Sequence, residues 1–97
     1  MAQATNLNTN FAVKGDTETA TFTAKASVLV ALYVAEDNRY IYAVDDQNVI
    51  RKMSITRNVE HARQQYRVAR HLIGKSVRFG VTSGWDSNVW FNEVIEA

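Results

Sequence analysis

The sequence predicts a small, mostly β domain carrying one helix, in the order β-β-β-α-β-β. Three observations predict it. From Ala20 to Val34 apolar residues fall on every second position, the mark of a strand with one buried face. At Val59, Ala62, Tyr66, Ala69 and Ile73 the spacing changes to threes and fours, an apolar stripe down one side of a helix. Polar clusters, "EDNR", "DDQN" and "SGWDSN", cut the remainder into strand-length pieces.

The elements follow in order. Residues 1–10, "MAQATNLNTN", have little to bury and are predicted to be a flexible arm, leaving 11–97 as a single domain. In the first strand Ala20, Phe22, Ala24, Ala26, Val28, Val30, Leu32 and Val34 are expected to face inward. A straight strand of that length would outrun a small domain, so a bend is expected near the small residues Ala24 to Ser27. The turn at Glu36–Arg39 leads into "YIYAV", and the turn at Asp45–Asn48 into "VIRKMSI". These three strands form a meander. Asn58 stands where a side chain would cap a helix from Val59 to Ile73, and Gly74 where a left-handed residue would stop it. "KSVRFGVT" is the fourth strand. "VWFNEVI" is the last, with imperfect alternation because Glu93 falls among apolar neighbours, so its facing is open.

Composition bounds the class. The 97 residues suffice for one thin core, with no cysteine to brace it by disulfides or to supply a thiolate. The start lacks the basic and apolar regions of a secretory signal. The longest apolar run, "VLVALYVA", is far short of the roughly 20 residues of a membrane-spanning helix. A soluble cytoplasmic protein without membrane partners is expected. The net charge of +1 hides a division. Between Arg51 and Arg78 lie eight of the 11 basic residues against one acid, Glu60. That imbalance predicts a positive face and a negative one.

The order of elements, with a bent first strand and a helix between the third and fourth, resembles the OB fold. That fold is a five-stranded, partly open Greek-key barrel, and closure removes two bare sheet edges. The resemblance spans about Thr19 to Ile95 and rests on element order, with no family-specific motif. It implies ligand binding on the face of the second and third strands. The loops between strands one and two and between four and five would take part.

Single-stranded nucleic acid needs cations for phosphates and flat rings for bases. Tyr40 and Tyr42 share a face of the second strand, with Arg39 beside them. Arg51 and Lys52 point opposite ways on the third, so one of them accompanies the tyrosines. Trp85 lies in the turn between the last two strands, where its ring would otherwise seek cover. Arg39, Tyr40, Tyr42, Arg51, Lys52, Arg78 and Trp85 are therefore the expected nucleic-acid contacts. The alternative role for the rings is at the core edge, with Trp85 folded over a barrel end.

Arg63, Arg67 and Arg70 form a row on the helix. A solvated helix would usually balance such a row with acids one turn away. This one offers Glu60 alone, so the row is expected to meet an acidic protein surface or a second copy of the chain, unless it is only a solvated face. His61 and His71 lie nearly three turns apart along the helix, too far to share a metal without help from elsewhere. The acid pairs at 36–37 and 45–46 read as turn formers. Neither a phosphate loop nor a nucleophile constellation is present. No cofactor, metal or catalytic activity is expected. The leading functional expectation is a non-enzymatic binder of single-stranded nucleic acid. A protein-interaction or oligomer-forming module is the alternative, and a carbohydrate or small-ligand binder a third.

Overall fold

The computed structural model describes residues 20–97, so the arm expected at 1–10 lies outside the described residues. The chain forms β1 (Ala20–Phe22), β2 (Ser27–Val34), β3 (Tyr40–Asp45), β4 (Ile50–Ser54), α1 (Val59–Arg70), β5 (Ser76–Thr82) and β6 (Glu93–Glu96). β1 and β2 are the two halves of the expected long strand, broken at the predicted bend. The order is therefore the one the sequence predicts, with the first strand divided.

The sheet is curled and antiparallel. β5 pairs with β6 along one edge and with β1 and the start of β2 along the other. β2 pairs with β3, and β3 with β4. A parallel bridge between Lys52 and Trp90 spans the last gap. The Lys52 N–H donates to the Val89 carbonyl at 2.9 Å, and the Phe91 N–H donates to the Lys52 carbonyl at 3.1 Å. The result is an OB-like half-barrel with one helix. Three hydrogen bonds donated by β5 hold the bend in the first strand. Arg78 on β5 donates to the carbonyls of Thr23 and Ala24. The Phe79 N–H donates to the Thr23 hydroxyl. Gly80 lets β1 approach, since a Cβ there would lie 2.7 Å from the Phe22 ring.

The core comprises Leu29, Ile41, Ala43, Met53, Ala62, Ala69, Leu72, Val77, Phe79, Phe91 and Val94. Asn58 caps the helix as predicted, its side chain accepting from the His61 N–H at 3.1 Å. Ala62 and Ala69 face inward and Tyr66 packs against the core. The helix ends at Arg70 and not Ile73, and the chain then turns through Gly74, which has φ +90°. That turn buries Leu72 and leaves Ile73 exposed, contrary to the helical stripe.

The inward set of the first strand also differs. Leu29 is fully buried, whereas Val30 and Val34 are exposed. A bulge between Leu29 and Ala31 inserts one residue against β3. Before it the odd position points inward, and after it Leu32 does. On the last segment Phe91 and Val94 are both buried, three residues apart, because the strand is interrupted at Asn92. Among the described residues no helix is long and apolar enough to cross a membrane.

Candidate functional site

Period-two geometry fixes what the outer face of β3 and β4 carries. Ile41, Ala43 and Asp45 of β3 point inward, so Tyr40 and Tyr42 point outward. Arg51 and Met53 of β4 point inward, so Lys52 and Ser54 point outward. The register sets Lys52 opposite Tyr42 and Ser54 opposite Tyr40. The parallel bridge then places Trp90 beside Lys52, on the far side from β3.

Four rings follow one another across this face. Tyr42 and Tyr40 have centroids 6.3 Å apart, Tyr40 and Trp90 6.4 Å, and Trp90 and Trp85 5.2 Å. The last pair meets edge to face, and the others are tilted. Two cations ride on them. The Lys52 Nζ lies 4.7 Å from the Trp90 centroid and 5.2 Å from that of Tyr40. The Arg57 guanidinium lies 5.5 Å from the Trp85 centroid. Such contacts contribute about 0.5–1 kcal/mol at exposed sites and hold each charge against a ring face. Beside the rings is a cleft of about 470 Å³, bounded by Tyr40, Trp85, Trp90, Arg57, His61 and Thr82. Its size suits one small ligand or one nucleotide unit.

The cleft walls are tied down. The Trp85 and Val89 N–H groups close turns onto Thr82 and Asp86. The Asn92 side-chain amide donates to the Thr82 hydroxyl at 2.9 Å. The His61 ring donates through Nε2 to the Asn92 carbonyl, joining the helix start to the last segment. Trp85 is 43% exposed while leaning on Trp90, so it is both covered on one side and open on the other.

Arg51 is a correction. It was expected among the phosphate contacts, yet it is buried in the core at 4% exposure. Its Nη1 donates to Asp45 at 2.9 Å, its Nε donates to the Ser87 carbonyl at 2.7 Å, and its guanidinium lies over the Phe79 ring. Lys52 alone therefore accompanies the tyrosines. Asp45 also accepts from the Gln47 and Val49 N–H groups. Burial pushes its carboxyl pKa up, but Arg51, those two N–H groups and the Ser27 hydroxyl outweigh it and hold the pKa below the ordinary value. Glu93 shows the opposite balance, since burial alone raises its carboxyl pKa.

The other predicted cations are dispersed. Arg39 precedes Tyr40 and is exposed, with Asp37 3.9 Å away. Arg78 is half-buried and bonded to the strand bend, on a strand that does not adjoin β3. Trp90 and Arg57 join the site although neither was expected among the nucleic-acid contacts. Trp90 enters through a long-range bridge that local alternation does not reveal, and Arg57 through the turn before the helix.

Arg63, Arg67 and Arg70 are all exposed. Glu60 reaches Arg63 at 3.7 Å between two well-solvated side chains. Arg63 and Arg67 flank a groove of about 270 Å³ with Val34, Ile41, Ile55 and Tyr66. Changing all three arginines to glutamine is expected to alter stability by less than about 1 kcal/mol, because exposed ion pairs contribute little. Chemical denaturation checks this, and a larger loss would mean that the row supports the fold.

No group of three or more metal-binding side chains occurs among the described residues. No protein-family model, curated protein or solved structure matches this chain.

Proposed function

We propose that the chain is a non-enzymatic module of the OB-fold superfamily that binds single-stranded nucleic acid with little sequence preference. The observation that carries this reading is the row Tyr42, Tyr40, Trp90, Trp85 with Lys52 and Arg57 set against its rings. Rings give bases a sequence-tolerant surface to stack on, and the cations beside them meet phosphates. The row lies on the outer face of β3 and β4 and runs into the loop before β6. Those are the surfaces that OB-fold proteins use for oligonucleotides. Arg39 extends the cationic border next to Tyr40.

Stacking and phosphate contact separate by salt dependence. Titration with a short oligothymidylate at several salt concentrations should give an affinity that falls as salt rises. Lys52→Gln should reduce that slope by about 0.7 for the one phosphate contact removed. Trp85→Ala should instead lose roughly 1–3 kcal/mol of binding with the slope nearly unchanged. If Lys52→Gln leaves the slope intact, the cation of the site lies elsewhere.

The groove between α1 and the sheet supports a second reading, a protein-interaction module. Its apolar floor and its Arg63 and Arg67 rim suit an acidic partner with apolar anchors. Under that reading the glutamine triple variant loses partner binding while keeping its fold.

A further inference from the structure

We infer that β2 is the seam of a symmetric dimer, in which the exposed edge of β2 pairs antiparallel with the same edge of a second copy. The Ala35 N–H donates to the Tyr40 carbonyl at 2.8 Å. The register continues from that pair through Val34 opposite Ile41, Tyr33 opposite Tyr42 and Leu32 opposite Ala43. In an antiparallel ladder, hydrogen-bonded and non-bonded pairs alternate. Ala35, Tyr33 and Ala31 therefore spend their backbone groups on β3. The N–H and C=O of Leu32 and Val34 point the other way.

That other side has no strand among the described residues. β5 pairs with β2 only at Ser27 and Val28, and the last contact beyond it is Leu29, bonded to Lys75 and Gly74. Among the described residues, no strand pairs with the edge from there to the turn. The side chains along it are apolar as well as exposed: Val30 at 51%, Tyr33 at 59% and Val34 at 45%. It carries no charged or proline residue from Ser27 to Ala35. Natural sheets blunt their edges with such residues, and a bare apolar edge is a template for another strand.

A second copy is the occupant the edge itself specifies. Antiparallel pairing of one strand with itself generates a two-fold axis, so the same four backbone groups satisfy one another on both sides. The axis runs perpendicular to the joined sheet, which places the outer faces of both copies on one side. Tyr33 stands directly opposite Tyr42 and shares that outer face. The dimer would carry the ring row of each copy toward the seam, with Tyr33 linking it to its symmetry mate. This assembly is independent of the nucleic-acid reading, because it rests on the edge alone.

Sedimentation velocity on the full chain, without nucleic acid, tests the inference. The wild type is expected to sediment as a dimer, twice the chain mass of 11.0 kDa. Val34→Pro removes an N–H that faces the edge and leaves the ladder to β3 intact, so it should yield a folded monomer. Val30→Lys, at a side chain already half-exposed, sets a charge on the apolar edge and should do the same without a change of backbone. Amide exchange at Leu32 and Val34 should be slow at high concentration and faster on dilution. A monomeric wild type throughout the concentration series overturns the inference. So does a dimer that survives Val30→Lys.

Discussion

Arg51→Ala is expected to destabilise the domain by about 3–5 kcal/mol, because it leaves Asp45 as a buried charge without its ion partner. Asp45 is 2% exposed, so solvent cannot replace the lost partner. The substitution also frees the Ser87 carbonyl and uncovers one face of the Phe79 ring. The effect should depend on pH with a definite sign. In the wild type the Asp45 pKa is lowered by folding, so its stabilisation is present above the ordinary aspartate value. It is lost as the pH falls through the lowered folded value. In the variant the Arg51 contribution is gone while the Gln47 and Val49 N–H groups and the Ser27 hydroxyl remain, so the folded pKa lies above that of the wild type and less stabilisation is lost in acid. The stability gap between the two proteins should therefore narrow from neutral pH toward acid. Denaturant melts at several pH values measure it, and a gap that is constant with pH would mean that Asp45 is not the group responsible.

Ala69→Asp is the second large effect. Ala69 is 1% exposed on the inner face of α1, amid the apolar core. The buried cation Arg51 is already paired with Asp45, so a carboxylate there would be buried unpaired, at a cost of about 4 kcal/mol or more. A domain of this size has a total stability of only about 5–15 kcal/mol. The variant should be largely unfolded, or should melt far below the wild type. A cooperative melt at an unchanged midpoint would show that this face of the helix does not pack on the barrel.

These two positions show what local pattern can and cannot reveal. The stripe Ala62, Tyr66, Ala69 was legible because helix periodicity is a local property, and so was the Asn58 cap. Its last member was not, since Ile73 lies beyond the helix end, where a turn exchanges it for Leu72. The bend in the first strand was legible from its length and its small residues. Its inward set was misphased because a bulge at Leu29–Ala31 shifts the alternation by one, and nothing in the even spacing announces a bulge. At the site, alternation correctly put Tyr40 and Tyr42 on one face and left Arg51 and Lys52 on opposite faces. It could not tell which of the two faced the solvent. That choice depends on Asp45, which a turn residue's local role does not disclose as a buried partner. Trp90 became the middle of the ring row only through a parallel bridge to β4, a contact across 38 positions of chain.

On the proposed nucleic-acid reading, the ring row would need no deep pocket. Lys52 is held between Tyr40 and Trp90, so its charge is already placed before a ligand arrives. Arg57 is similarly placed over Trp85. Preorganised side chains lose less conformational entropy on binding, which favours affinity from a shallow surface.

Tryptophan fluorescence reports the proposed stacking of bases on this row directly, because both tryptophans, Trp85 and Trp90, belong to the row. A short oligothymidylate added at low salt, where phosphate attraction is greatest, should quench that fluorescence saturably. The quench should shrink in Trp85→Ala, which leaves only Trp90 to report. Absence of both quenching and binding at low salt would contradict the account and leave the protein-interaction reading of the chain in its place.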